Sequence, residues 1–203
     1  MKALILVDIQ NDFCPGGALA VANGDEVVPV ANKLAHRFDL VVATQDWHPR
    51  DHGSFAANHP GTEPGQVIDL DGLDQVLWPV HCVQGSDGAA FRADFDTRWV
   101  NEVFRKGTDP GIDSYSGFYD NGHRQATGLA DYLREKGVGA VYVLGLATDY
   151  CVKFTALDAV SAGFDTYLVE DGCRAVELQE GDAERAIDRM REAGVTVLAS
   201  TDL

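Results

Sequence analysis

The sequence has no Cys-x-x-Cys pair. Its four cysteines, Cys14, Cys82, Cys151 and Cys173, stand far apart, which excludes zinc-knuckle spacing and gives no disulfide framework. Free thiols in a reducing, cytoplasmic compartment are the expectation. No apolar run approaches the roughly 18 to 20 residues that span a bilayer, and Met1 to Asp12 carries no basic, cleavable pattern, so a soluble and unprocessed protein is expected. Positive charge is scarce: 16 basic residues face 32 acidic ones, a net charge of −16. That balance argues against nucleic acid and anionic lipid, which both reward a basic face, and suits a small neutral substrate. The acidic excess itself reads first as a solvated surface. Repeats, linkers and low-complexity tracts are also missing, and 203 residues of 45% hydrophobic content suffice for the core of one α/β domain spanning 1–203.

What is present is an alternation of apolar runs and helical patterns. Ala3 to Asp8 reads as a strand buried on both faces, the habit of parallel sheets. Val27, Val30, Ala31, Leu34, Ala35 and Phe38 recur at helical spacing, and an apolar run resumes at Leu40 to Ala43. The pattern returns with a helix through Ala126, Leu129, Ala130 and Leu133, a strand at Val141 to Leu146, and a helix through Val152, Ala156 and Val160. Strands at Thr166 to Val169 and Val195 to Ala199 flank a last helix carrying Ala183, Ala186, Ile187 and Met190, and a further strand is expected at Val103 to Lys106. The expected fold is α/β in three layers: a mostly parallel central sheet of about six strands with helices on both faces. Between about 45 and 98 the alternation stops in a segment rich in Gly, Pro, His, Trp and Asp, read as an insertion with a function of its own.

Ligands of open α/β sheets bind beyond the carboxyl ends of the strands. Those ends supply Asp8, the pair Asp46 and His48, Lys106, and the turn Gly145 to Cys151. Thr148 there is a candidate N-cap, which puts Cys151 in a first helical turn, where the helix dipole and a nearby cation lower a thiol's pKa. The N–H groups of Ala147 and Cys151 are candidate oxyanion donors. Against this stands a small packing cysteine, just as an Asp capping its turn through Asn11 and a surface lysine are the ordinary uses of Asp8 and Lys106. If Asp8, Lys106 and Cys151 converge, they form an acid, a cation and a nucleophile. Asp46 and His48, two apart in an extended segment, point the same way and suit zinc, iron or manganese. His81 is the preferred third ligand, since Pro49 spoils helical geometry between His48 and His52. Phe13, Trp47, Phe55 and Trp78 add aromatic faces; core packing is their ordinary use.

Six motifs, in order, resemble the nicotinamidase/pyrazinamidase family of isochorismatase-like hydrolases. They are Leu6-Val-Asp-Ile-Gln-Asn-Asp-Phe13, Asp46-Trp-His-Pro-Arg-Asp-His-Gly-Ser-Phe55, Trp78-Pro-Val-His-Cys-Val-Gln84, Lys106-Gly, Asp113-Ser-Tyr-Ser-Gly-Phe118 and Gly145-Leu-Ala-Thr-Asp-Tyr-Cys-Val152. The resemblance implies a triad of Asp8, Lys106 and Cys151 and an oxyanion hole at Ala147 and Cys151. It implies one divalent metal, zinc foremost with iron or manganese as alternatives, on Asp46, His48 and His81, with His52 open as a further ligand. Phe13 and Trp78 would flank the substrate ring, and Leu146-Ala147 would be a cis peptide. The implied reaction is hydrolysis of nicotinamide, and of pyrazinamide, through a thioester in NAD salvage. Monomers and larger homo-oligomers both occur in the family. An isochorismate ether hydrolase would not need the cysteine, an N-carbamoylsarcosine-type amidase would lack the Asp-x-His pair, and a redox-sensing metal module would show no turnover.

Overall fold

The computed structural model describes residues 1–203. Six strands form the central sheet, and every pairing in it is parallel: β1 (Lys2–Val7), β2 (Leu40–Asp46), β5 (Glu102–Lys106), β6 (Ala140–Leu146), β7 (Asp165–Arg174) and β8 (Thr196–Leu198). Their spatial order is β5-β2-β1-β6-β7-β8. Four helices connect them, α1 (Val27–Ala35), α2 (Leu129–Glu135), α3 (Lys153–Ser161) and α4 (Asp182–Glu192). The strands form because their side chains have no solvent-facing alternative. Leu4, Ile5, Leu6 and Val7 are wholly buried, each contributing about 1.5 to 3 kcal/mol relative to exposure.

Register shows that helices cover both faces. Leu144 is level with Leu6 and Ala43, and it lies against Val30 of α1 where Gly172 leaves room. Thr44, one residue further along and therefore on the opposite face, lies beside Leu129 of α2 and Thr155 of α3 near Gly117. From β1 the chain winds through α1 to β2 on one side, whereas from β6 it winds through α3 to β7 on the other. The order thus reverses between β1 and β6, the crevice where such sheets bind ligands. Gly145 makes the closure of that pair possible. Its φ is 130°, and a Cβ there would sit 2.1 Å from the Val7 carbonyl oxygen.

The 45–98 segment is less irregular than its composition suggests. It carries an antiparallel hairpin of β3 (Val67–Leu70) and β4 (Leu73–Val76), as well as isolated bridges joining His48 to Val83 and Phe55 to Trp78. These bridges bring the two histidine-bearing stretches side by side. Between β5 and α2, residues 107–128 form a second long connection without regular structure across the same end of the sheet.

Candidate active site and metal centre

Lys106 is the centre of the site. Its ammonium is fully buried at the end of β5, 2.9 Å from Asp8 Oδ2, 2.9 Å from Asp46 Oδ1, 3.0 Å from the Ser114 carbonyl and 3.4 Å from Cys151 Sγ. The contact to Asp8 Oδ2 is close but lacks hydrogen-bond alignment, so it acts as a Coulombic pair. Burial opposes the lysine's charge, yet the Asp46 and Asp8 carboxylates outweigh it and hold the ammonium well above its ordinary pKa. The same cation reaches both the expected triad and the expected metal ligands.

Asp8 follows β1 with a left-handed φ of 48°. Its carboxylate accepts a 2.6 Å hydrogen bond from the Thr44 hydroxyl, which in turn accepts from the Asp8 N–H. The turn-capping alternative does not occur: Asn11 donates instead to the Asp87 carbonyl. Burial raises the Asp8 pKa above the usual carboxylate value, with Lys106 pulling the other way and Asp46 adding to the rise.

Cys151 differs from expectation in two respects. Thr148 is not an N-cap: Ala147 holds that position, Thr148–Val152 form a single π-type turn, and no side chain caps it. Nor is the thiol acidified. Burial pushes its pKa well above the ordinary thiol value, Lys106 opposes this, and Asp8 and Asp46 add to the rise. A lone cation facing two carboxylates cannot offset desolvation, so the thiol rests protonated beside Asp8. The Leu146-Ala147 peptide is cis, as the resemblance implied.

Asp46, His48 and His81 do converge, with ligand atoms within 4.8 Å of one another and all three residues buried. Asp46 Oδ2 lies 3.0 Å from His48 Nε2 and 3.4 Å from His81 Nε2. Burial works against the Asp46 carboxylate, but His48 and Lys106 hold it well below the usual range. In return, and against burial, Asp46 pushes His48 up to about 9. The second nitrogens are already committed: His48 Nδ1–H donates to the Gly107 carbonyl at 2.8 Å and His81 Nδ1–H to the Pro79 carbonyl at 2.8 Å. Both rings therefore present Nε2 inward, the arrangement that orients imidazoles toward a metal, and a carboxylate with two such nitrogens fits a divalent ion. His52 stands apart. Its ring packs 4.1 Å from that of His48, its Nδ1 accepts from the Ser54 N–H, and its buried Nε2 has no partner. Its nitrogen groups with His48 and Asp113, not with Asp46 and His81.

A cleft beside these groups is lined by Phe13, Trp78, Tyr115, Tyr150, Ala147 and Cys151, with Asp46 and His81 at its polar end. Phe13 and Trp78 thus line the same cleft as Cys151 and the converging Asp46 and His81. Trp47 does not join them, lying under the Arg105 guanidinium at 4.0 Å, and Phe55 packs against the rings of His48, His52 and His81. Sequence reasoning assigned nothing to Thr44, Tyr115, Tyr150 or Gln10. Gln10 brackets Asp46, donating to its carbonyl and accepting from its N–H, both at 2.8 Å. Thr44 and Gln10 carried a readable signal, being polar residues within or directly beyond a buried apolar run; Tyr115 and Tyr150 did not.

A model of the isochorismatase domain matches residues 2–202. A nicotinamidase of Escherichia coli is 50% identical over 99% of this chain and 96% of its own. Among solved structures, the nicotinamidase/pyrazinamidase of Acinetobacter baumanii superposes with a TM-score of 0.96 at 50% identity, covering 99% of this chain and 97% of that one. The Pyrococcus horikoshii pyrazinamidase, solved in complex with zinc, gives 0.79 at 39% identity with 98% of both chains covered. No helix is long and apolar enough to cross a membrane.

Proposed function

The chain belongs to the isochorismatase family, and from that premise we propose that it is a nicotinamidase that hydrolyses nicotinamide, and pyrazinamide, to the acid and ammonia through a thioester on Cys151, serving NAD salvage. The observation that carries this reading is the buried Lys106 ammonium bridging Asp8, Asp46 and Cys151 beside an aromatic cleft. The full-length likeness to nicotinamidases supports the substrate. We read 1–203 as one hydrolase domain whose 45–98 insertion serves metal binding. A small soluble enzyme in the cytoplasm is the setting this implies.

Asp8 takes the thiol proton as the Cys151 sulfur attacks the carboxamide carbon. Its raised proton affinity suits a base paired with a resting thiol, and Lys106 stabilises the anionic sulfur. The Ala147 and Cys151 N–H groups receive the developing oxyanion. Asp8 returns the proton to the departing ammonia, then activates the water that hydrolyses the thioester. Phe13 and Trp78 sandwich the ring. Asp46, His48 and His81 would hold a divalent ion, zinc foremost, which when bound would supply a Lewis acid at the polar end of the cleft.

The test is ammonia release from nicotinamide by the native protein, by Cys151→Ala and by chelator-treated protein. Turnover falling by at least about a thousandfold in Cys151→Ala, with stoichiometric metal retained, is the expected result. Near-normal turnover in that variant would sink the cysteine mechanism. Bound metal without ammonia release from any pyridine carboxamide would point to a sensing module instead.

A further inference from the structure

One wall of the cleft is Val176, carried on the connection between β7 and α4, which has no regular structure over 175–181. Such a stretch has little to hold it: Glu177, Leu178, Gln179 and Glu180 are all exposed. It is tied down at the site by Asp149, two residues before Cys151 and itself only 3% exposed. The two Asp149 carboxylate oxygens accept from successive backbone N–H groups, Oδ1 from Val176 at 2.9 Å and Oδ2 from Glu177 at 2.9 Å. Glu177 adopts a left-handed φ of 55°, and turns of this kind aim consecutive N–H groups at one anion. The Glu177 carboxylate accepts in turn from Gly181 and Ala183 at the start of α4, and Asp182 accepts from the Gln179 N–H. The segment is thus stretched between the nucleophile turn and a helix terminus.

Given the nicotinamidase reading, on which this rests, we propose that Asp149 is a positioning residue: it clamps 175–181 so that Val176 sets the width of the ring pocket and decides which ring substituents enter. The chemistry requires a carboxylate. Asparagine has a single acceptor oxygen and would turn its own amide N–H toward the other backbone donor. Charge-assisted bonds of this kind hold a segment far better than van der Waals contact of one valine. An apolar wall fixed in this way separates substrates differing by one methyl by roughly 10- to 200-fold.

Hydrogen exchange and steady-state kinetics on the full-length, metal-loaded protein test this. In Asp149→Asn the Val176 and Glu177 amides should exchange roughly ten- to hundredfold faster while those of β6 are unchanged. KM for nicotinamide should rise with kcat within about twofold of native, and the preference for nicotinamide over ring-methylated nicotinamides should shrink. Val176→Ala, which leaves the clamp in place, should relax the same preference, and the double variant should add nothing further. If those amides keep their native exchange, or if Asp149→Asn loses kcat with an altered pH profile and an unchanged KM, the clamp is refuted. Should Asp149→Asn fail to fold, an unaltered preference in Val176→Ala refutes it equally. Absent turnover of nicotinamide by the native protein would refute the enzymatic reading, while the exchange measurement would still judge the clamp.

Discussion

The Cys173 thiol, near the end of β7, donates to the Val169 carbonyl at 3.3 Å, and burial pushes its pKa from the ordinary 9.0 up to about 12. Between those values the unfolded chain gives up a proton that the native protein retains, so stability falls as pH rises. The contribution is intact below pH 9 and is lost progressively toward pH 12. At pH 11 the loss amounts to roughly 2 to 3 kcal/mol. Urea unfolding from pH 8 to 11 should therefore show an alkaline decline, to which the likewise raised Cys14, Cys82 and Cys151 thiols also contribute, and which becomes shallower in Cys173→Ala; equal slopes in the two proteins would refute the Cys173 share. Cys151 illustrates the same physics, and it is where sequence reasoning failed. The strand-end positions of Asp8, Lys106, Asp46, His48 and Cys151 were legible because a polar residue closing an apolar run has few uses, whereas His81, in a loop of the 45–98 segment, was legible only as a further imidazole near the Asp-x-His pair. The direction of the thiol's shift was not, because it depends on how many carboxylates fold around one lysine, which no local pattern encodes.

Among elements, the turn after β5 bears most directly on the ligand cluster. Gly107 has a φ of 63°, and a Cβ there would lie 2.3 Å from His48 Cε1 and 2.6 Å from Nδ1. Gly107→Ala must therefore push the imidazole off the carbonyl that orients it. Metal affinity, measured by competition with a chromophoric chelator, should drop about 10- to 100-fold, as for other losses of a histidine's supporting partner. Native affinity would mean that the ring is positioned by something else. The sheet strands around this turn could be read from sequence because β1, β2 and β6 are buried almost end to end. The β3-β4 hairpin could not. All but one of its strand residues are exposed or half-exposed, Asp69 and Asp74 interrupt the apolar pattern, and the burial that defines it is shared with Tyr115 and Asp113 far along the chain, to which Gln75 donates. The expected start of α2 at Ala126 was early for a local reason: Gly128, with φ 92°, forms the cap and Leu129 begins the helix.

At the scale of the whole molecule, the net charge of −16 sets two effects of divalent cations against each other. Cations gathered diffusely around an acidic surface stabilise the fold by relieving repulsion, and that benefit disappears in salt. An ion seated on Asp46, His48 and His81 stabilises by mass action, about 2.7 kcal/mol at a free concentration one hundred times its dissociation constant. For a chain of this size each kcal/mol is worth roughly 2 to 4 °C in Tm, so the seated ion should raise the midpoint by about 5 to 10 °C. Thermal scans of chelator-treated protein with and without Zn²⁺, in about 0.3 M salt to screen the surface term, separate the two. The rise should survive the salt and vanish in His81→Ala, a residue whose loss hardly changes surface charge because its ring is buried. A rise that persists in His81→Ala, or that salt abolishes in the native protein, would assign the stabilisation to the acidic surface and leave the three converging side chains without a metal to hold.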